Sequence, residues 1–216
     1  MSEQSIELAR RLVGIGAVSF SPAEPYTWAS GLLSPMYCDN RQTLAYPDVR
    51  ALIARAFERV IREQDLSPEA IIGVATGAIA HATVLAERLN LPLGYVRSAA
   101  KEHGKRNQVE GFTKEGGRVV VVEDLISTGG SSIAAAKAAA ESGLTVEAVL
   151  AIFTYGFPMA AWAFAEESIP LFAIMHLDDV LTAAEEVGSL RSEDKPTLHD
   201  WKADPVRWSD VRKGER

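Results

Sequence analysis

The amino-acid sequence predicts an α/β fold in which a mostly parallel central sheet is flanked by helices. Strand candidates alternate with amphipathic helices from residue 47 to residue 175, a rhythm typical of a sheet covered on both faces. The four valines at 119–122 have the β-branching and the length of a strand that is buried on both faces. With 216 residues, of which 47% are hydrophobic and 24% are charged, the chain suits one globular domain with room for a small subdomain.

Local patterns justify the elements in chain order. Three prolines and Gly31 interrupt the first 45 residues, so we expect residues 1–45 to form an N-terminal cap on a core at about 46–180. Behind Pro47, apolar residues recur at helical spacing as far as residue 63. The sequence further predicts helices at 79–89 and 132–142, strands at 71–75, 93–96, 119–122, 146–153 and 171–175, and a C-terminal tail at 181–216.

The bulk properties exclude several classes of function. The net charge of −7 argues against nucleic acid as the main partner. The single cysteine, Cys38, excludes an intramolecular disulfide and indicates a reducing, cytoplasmic location. We expect no membrane partner, because no apolar run approaches the ~20 residues needed to span a bilayer. Four widely spaced histidines and one cysteine form no zinc pattern.

The most informative segment is 118–132, where a valine run leads into two acids and then into a loop of hydroxyls and glycines. Glu123 and Asp124 would lie at the C-terminal end of a strand, where open α/β sheets place their ligand crevice. Free amides in the loop and the N-terminus of the next helix favour a phosphate. The acids then suit ribose hydroxyls or a magnesium ion, which indicates a sugar-phosphate site. Alternatively, the acids only cap the next helix; the pattern matches neither a P-loop nor G-x-G-x-x-G.

Two further segments admit both a functional and a structural interpretation. The polar connection at 97–111 carries five cations and is either a solvated loop or a lid that closes over an anionic substrate. The small residues at 73–80 would let the backbone approach a ligand closely. Alternatively, they form a tight strand-to-helix turn in which Thr76 is the N-cap.

Four segments in order resemble the orotate phosphoribosyltransferases, a family of type I phosphoribosyltransferases. EDLISTGGS at 123–131 resembles the motif that binds phosphoribosyl diphosphate (PRPP), and GVATGAIAHA at 73–82 resembles the family's pyrophosphate loop. YTWASGLLSPMYCDNR at 26–41 is similar to the N-terminal segment, and YVRSAAKEHGKRNQVEG at 95–111 to the mobile catalytic loop. The resemblance implies the type I phosphoribosyltransferase fold, with a small hood formed largely by residues 1–45.

The resemblance also implies roles for individual residues. Lys101 and Asp124 would be catalytic, and Ser127 would contact orotate. The 98–110 loop would reach into the neighbouring subunit of a homodimer, so that the active sites are shared. The family's cofactor is Mg²⁺, and its reaction belongs to pyrimidine biosynthesis. Implied PRPP contacts are Arg97, Lys101, His103, Glu123, Asp124, Leu125, Ile126, Ser127, Thr128, Gly129, Gly130 and Ser131, and the diphosphate loop is Thr76, Gly77 and Ala78.

The chain departs from the family pattern in the half of the site that holds the base. Relatives usually carry a lysine just before the S-G pair or the S-P pair, where this chain has Ala29 and Leu33. An arginine of some relatives aligns approximately with Tyr155, and a further loop lysine would fall within 98–100, which reads Ser-Ala-Ala. A phosphoribosyltransferase for another nucleobase therefore stays an alternative. A non-catalytic PRPP-sensing regulator is disfavoured, because Lys101 and His103 are present and no basic helix–turn–helix is evident.

Overall fold

The structure is a computed structural model that describes residues 3–28, 30–97 and 108–214. No helix in these ranges is both long and apolar enough to span a membrane. The helices are α1 (Glu3–Gly14), α2 (Pro47–Glu63), α3 (Ile79–Leu89), α4 (Gly130–Glu141), α5 (Pro158–Glu166), α6 (Leu177–Glu186), α7 (Lys195–Ala203) and α8 (Pro205–Gly214). The strands are β1 (Val18–Phe20), β2 (Tyr26–Thr27), β3 (Leu33–Ser34), β4 (Met36–Cys38), β5 (Ala70–Val74), β6 (Leu93–Val96), β7 (Val109–Gly111), β8 (Arg118–Ile126), β9 (Thr145–Thr154) and β10 (Leu171–His176).

A six-stranded sheet in the order β10-β9-β8-β5-β6-β7 forms the centre of the molecule. All its neighbouring pairs are parallel except β6 with the edge strand β7. The valines at 119–122 on β8 are fully buried, as are Ile71 and Ile72 on β5 beside them. This burial on both faces explains why the central strands are continuous apolar runs. The predicted α/β class with a mostly parallel sheet is confirmed.

The predicted helices at 47–63 and 79–89 and the strand at 93–96 have the observed bounds. The third predicted helix begins earlier, at Gly130, and the valine run is the middle of a longer strand. The expected loop at 98–110 is wrong at its end, since Val109 and Glu110 belong to β7 and pair with Val96 and Tyr95. A three-residue edge strand gives no periodicity that a sequence pattern could detect.

The expected N-terminal cap divides into two parts. Helix α1 packs against α2, α6 and β10, so it contributes to the body of the molecule. The hood strands, which we define as β1 to β4, form two small antiparallel pairs, β1 with β4 and β2 with β3. A 3₁₀ segment, Asn40–Ala45, joins them to α2.

The C-terminal tail docks on the hood strands. The Leu33 N–H on β3 donates a hydrogen bond to Ser209 Oγ on α8 at 3.0 Å, and this bond is buried. Trp201 on α7 is completely buried, whereas Trp208 is half-buried beneath the guanidinium of Arg212. The tail therefore closes one side of the hood.

Candidate active site

Four strand ends meet at one edge of the central sheet. The turn at 75–78 follows β5, Arg97 follows β6, and Tyr155 follows β9. Glu123 and Asp124 lie in the last four residues of β8, between β5 and β9. Because the carboxyl ends of parallel strands share an edge, four segments that are distant in sequence come together here.

Glu123 is a buried carboxyl group with two donors. Its Oε2 accepts from Ser132 Oγ at 2.9 Å, and its Oε1 accepts from the Asp124 N–H at 3.0 Å. Burial raises the pKa of Glu123 to about 8, and the adjacent Asp124 carboxylate adds to the rise. The acid bonds to the Ser132 hydroxyl, and the N-cap of α4 is Gly129, so Glu123 does not cap that helix. At neutral pH Glu123 therefore favours its protonated form.

Asp124 lies against the turn that follows β5. A Cβ atom built on Gly77 would lie only 2.2 Å from Asp124 Oδ2, so the carboxylate occupies the space that a side chain at 77 would need. The Ala75–Thr76 peptide bond in this turn is cis. Helix α3 has Ala78 as its N-cap, so the alternative interpretation of Thr76 as the cap is wrong. The predicted diphosphate loop and the predicted ribose carboxylate are thus in contact.

The loop at 127–131 leads directly into α4. Gly129 is its N-cap and has a left-handed backbone with φ +88°, which only glycine adopts without strain. A Cβ atom at this position would lie 2.9 Å from the Phe164 ring. Thr128, Gly130 and Ser131 are exposed. The loop thus presents its hydroxyls and the first amides of α4 to solvent, as an anion site requires.

Arg97 lines a small cleft beside this loop. The cleft has a volume of about 180 Å³ and includes Ala75, Gln108 and Ser131 in its wall. The Arg97 N–H donates to the Gln108 carbonyl at 2.9 Å, and Arg97 Nη1 lies 3.7 Å from Glu110 Oε1. Among the predicted PRPP contacts, Arg97 and Ser131 therefore share one cleft.

A second cavity, of about 350 Å³, opens between the hood strands and the ends of β8 and β9. We call it the aromatic cavity. Its wall carries no lysine or arginine among the residues that the structure describes. The residues that line it are Thr27, Trp28, Tyr37, Cys38, Leu125, Ser127 and Tyr155.

Buried aromatic rings support the aromatic cavity from behind. Tyr155 stacks on Phe157 with ring centroids 5.3 Å apart, and Trp28 lies 5.3 Å from Tyr155. Trp201 meets Trp28, Tyr155 and Phe157 edge-on. Burial raises the pKa values of the Cys38 thiol and the Tyr155 phenol well above their usual ranges, so both groups stay neutral. Among the described residues the wall therefore combines aromatic rings with the hydroxyls of Thr27, Tyr37 and Ser127 and carries no charged side chain, which suits a planar ring with polar substituents.

Comparison with known proteins fits this arrangement. Residues 40–158 match the phosphoribosyl transferase domain family. The chain is 49% identical to the orotate phosphoribosyltransferase of Bacillus caldolyticus over 94% of its own length and 98% of that relative's length. The chain belongs to the orotate phosphoribosyltransferase family.

Solved structures of the family have the same fold. The orotate phosphoribosyltransferase of Aeropyrum pernix superimposes with a TM-score of 0.73 at 33% identity, covering 85% of this chain and 99% of that chain. A UMP synthase from Leishmania donovani superimposes with a TM-score of 0.78 at 28% identity. This match covers 92% of the present chain and 42% of the UMP synthase chain.

Some residues predicted from the family resemblance lie outside the described ranges. Lys101 and His103 are among them, as are Ala29 and residues 98–100. Within the described ranges, Leu125 and Ser127 line the aromatic cavity, whereas the Ile126 side chain is buried. The Ile126 carbonyl accepts from the Tyr155 N–H at 3.2 Å. Ile126 therefore belongs to the core and to the β8–β9 ladder rather than to the wall of the aromatic cavity.

The sequence prediction missed several residues of the site in this phosphoribosyltransferase. The side chains of Trp28 and Tyr37 line the aromatic cavity, and their position on or beside short hood strands gives no chemical signal in sequence. Asn40 Nδ2 donates to the Asp124 carbonyl at 2.6 Å. Asn40 lies in the resemblance segment at 26–41, but its partner is 84 residues away, so only the fold reveals the contact.

Glu123→Gln should remove a pH dependence of stability from this phosphoribosyltransferase. Unfolded Glu ionises near pH 4.5, whereas folded Glu123 keeps its proton until about pH 8, so the wild type loses stability as the pH rises between these values. At pH 4.5 the variant should melt at about the same temperature as wild type. At pH 9 it should melt about 4 °C higher or more, because each unit by which the pKa of Glu123 is raised removes about 1.4 kcal/mol of wild-type stability. Thermal melts from pH 4.5 to 9 measure this. Glu141→Gln, at an exposed position, is the control. If the melting temperatures of all three proteins depend on pH in the same way, the raised pKa of Glu123 is contradicted.

Proposed function

We propose that the chain transfers the 5-phosphoribosyl group of PRPP to orotate, giving orotidine 5′-monophosphate and diphosphate, in the de novo synthesis of pyrimidine nucleotides. The position of Asp124 carries this proposal. Its carboxylate abuts the backbone turn at Gly77, its neighbour Leu125 lines the aromatic cavity, and the loop at 127–131 begins three residues later. A ribose held by Asp124 would have its phosphate on that loop and its anomeric carbon towards the aromatic cavity.

The proposed chemistry relies on electrostatics. The bond between the anomeric carbon and the diphosphate oxygen breaks while the bond to the ring nitrogen forms, which leaves positive charge on the ribose in the transition state. Asp124 stabilises that charge and holds a ribose hydroxyl. The amides of Thr76 and Gly77 face the departing diphosphate, whereas the Ala78 N–H donates to the Val74 carbonyl at 3.1 Å. Arg97 supplies a cation beside this turn. A covalent nucleophile is not required.

Glu123 has a more specific role than its neighbour in this proposal. Its two oxygens already accept from Ser132 and from the Asp124 N–H. In its protonated form it can donate a hydrogen bond to the adjacent Asp124 carboxylate, which a carboxylate cannot do. Glu123 therefore orients the start of α4 and the Asp124 backbone, and Asp124 carries the negative charge of the site.

Mg²⁺ fits the site as a companion of the substrate. Within the described ranges, no group of three or more His, Cys, Asp or Glu side chains could hold a metal ion. Mg²⁺ commonly binds through one or two carboxylates together with substrate phosphates and water. Asp124 is the half-exposed carboxylate available for such a contact. When bound, the ion neutralises charge on the diphosphate.

We further propose a cytoplasmic homodimer in which the segment between β6 and β7 of one subunit completes the active site of the other. Lys101 and His103 of that segment would contact the diphosphate, and closure would exclude water from the reacting carbon. The proposal rests on the family resemblance of residues 95–111. The free, buried Cys38 suits a reducing compartment.

Mixed dimers test whether each active site contains residues from both subunits. Lys101→Ala and Asp124→Asn variants should each lose about 100-fold or more of the activity, because each removes a charge that acts in the transition state. Mixing them under conditions that exchange subunits should restore up to about a quarter of wild-type activity, because half of the dimers contain one intact site. Activity assays after verified exchange measure the recovery. If the mixture stays as inactive as its components, each site is built within one subunit.

Base specificity is tested by PRPP consumption in the presence of Mg²⁺ with orotate, uracil, xanthine or adenine. Turnover of orotate alone is the expected result. The uncharged wall of the aromatic cavity favours one second candidate, a phosphoribosyltransferase for a base without a carboxylate, such as uracil. Turnover of uracil or a purine without orotate would establish that candidate. PRPP binding without turnover of any base would indicate a regulator.

A further inference from the structure

A chain of buried polar groups runs beneath Asp124. His81 Nε2 on α3 lies 3.3 Å from Thr43 Oγ1, and Thr43 Oγ1 lies 2.5 Å from the Asn40 carbonyl. Asn40 Nδ2 then donates to the Asp124 carbonyl at 2.6 Å. We call His81, Thr43, Asn40 and the Asp124 carbonyl the His81 network. It connects α3, which follows the diphosphate turn, with the segment after the hood strands and with β8.

The network determines which nitrogen of His81 carries the proton. Thr43 has a single hydroxyl proton, and it is donated to the Asn40 carbonyl, which can only accept. Thr43 Oγ1 must therefore accept from His81, so the proton is on Nε2. Nδ1 is then a bare acceptor.

The Nδ1 atom of His81 makes no hydrogen bond that would explain the choice of histidine at this position. It is buried and has no hydrogen-bond partner among residues 3–28, 30–97 and 108–214. His81 itself is only 2% exposed, and burial lowers its pKa. His81 is thus a buried, neutral donor in a fixed orientation.

We propose that His81 is a positioning residue that sets the place of Asp124 through Thr43 and Asn40. The Thr43 hydroxyl fixes the main chain of Asn40 through its carbonyl oxygen. The Asn40 side chain then holds the main chain of β8 at the point where the Asp124 carboxylate meets Gly77. The inference rests on the proposed function only in taking Asp124 as the residue that binds the ribose of PRPP. It predicts that loss of the Nε2 donor weakens PRPP binding more than base binding.

Replacing His81 with glutamine or with asparagine distinguishes the roles of its two ring nitrogens. A glutamine side chain places its NH₂ group close to the position of Nε2, whereas asparagine places it close to Nδ1. His81→Gln should keep the KM for PRPP within about threefold of wild type, and His81→Asn should raise it about tenfold, as expected when a buried acceptor loses its donor. The KM for the base should change less than twofold in both variants, and kcat should stay within about threefold.

Further variants test whether the residues act as one unit. Thr43→Val removes the hydroxyl and should reproduce the effect of His81→Asn on PRPP. The double variant with Thr43→Val and His81→Asn should have no higher KM for PRPP than either single variant, because both changes interrupt the same chain of hydrogen bonds. His199→Asn makes the same replacement at an exposed histidine on α7 and should leave every constant unchanged. Thermal melts establish that each variant is folded, and Thr43→Val serves as the test if His81→Asn does not fold.

Titration calorimetry with PRPP and Mg²⁺ gives a readout that does not depend on turnover. A tenfold weaker PRPP affinity for His81→Asn, with near wild-type affinity for His81→Gln, supports the positioning role. Equal affinities for wild type and His81→Asn would overturn it, as would equal losses for Asn and Gln. If the wild type binds PRPP but turns over no base, the proposed activity fails while the positioning role is still measured.

Discussion

Gly77→Ala should reduce kcat/KM for PRPP by about 100-fold, equivalent to about 2.7 kcal/mol of transition-state stabilisation. The new methyl group would lie 2.2 Å from Asp124 Oδ2 and 2.7 Å from Asp124 Cγ, so the carboxylate must rotate away from the turn. Its oxygen would then leave the position in which we propose that it holds the ribose, and the turn would still have its amides. Steady-state kinetics with PRPP varied at saturating base measure the loss.

The fold should survive this substitution, because the nearest atoms belong to the free end of a half-exposed side chain. The melting temperature should therefore stay within a few degrees of wild type. Gly14→Ala is the control, since a Cβ atom there meets nothing within 4 Å. Wild-type kinetics for Gly77→Ala would show that Asp124 can move without cost and would remove its assigned role.

Much of the fold could be predicted because the central elements have strong periodic signals. The valines at 119–122 are buried on both faces of the sheet, and this burial is what makes them a continuous run. Helix α2 begins at Pro47, whose fixed φ suits a first helical turn, and buries the residues at helical spacing that predicted it. Because the central strands are parallel, their carboxyl ends then lie at one edge of the sheet.

Other elements have no such signal. The edge strand β7 has three residues and one buried side chain, Val109. Helix α1 is amphipathic, but its place on the body depends on α6, which lies more than 160 residues later. The contact between Ser209 and Leu33 spans 176 residues. Long-range contacts of this kind leave no local pattern, so the sequence alone did not separate α1 from the hood strands.

The adjacent acids show how far a motif can predict chemistry. The family resemblance places both Glu123 and Asp124 on PRPP, yet the structure gives the two side chains different surroundings although they interact with each other. Glu123 faces Ser132 on α4 and is buried, whereas Asp124 faces Gly77 and is half-exposed. Burial raises the pKa of Glu123, as often occurs where neighbouring acids divide two tasks. The motif predicts where the site is, and burial determines which acid carries the charge.

Gly129→Ala should damage both stability and PRPP binding. Its φ of +88° is unfavourable for alanine, which costs about 1–2 kcal/mol. The added methyl group would also lie 2.9 Å from Phe164 Cε2, a ring fixed in the core. The start of α4 must therefore shift, and with it the amides proposed to hold the 5′-phosphate. We expect the melting temperature to fall by about 2–8 °C and the KM for PRPP to rise about tenfold.

Gly188→Ala separates the effect of backbone strain from the effect of the contact with Phe164. Gly188 also has a left-handed backbone, with φ +73°, but a Cβ atom there meets nothing within 4 Å and the residue follows α6, outside the proposed site. It should show the loss of stability from backbone strain with an unchanged KM for PRPP. If Gly129→Ala behaves like Gly188→Ala, the loop tolerates the shift and its amides do not determine PRPP affinity. A rise in KM confined to Gly129→Ala requires that the loop geometry itself binds the phosphate, because strain alone is common to both variants.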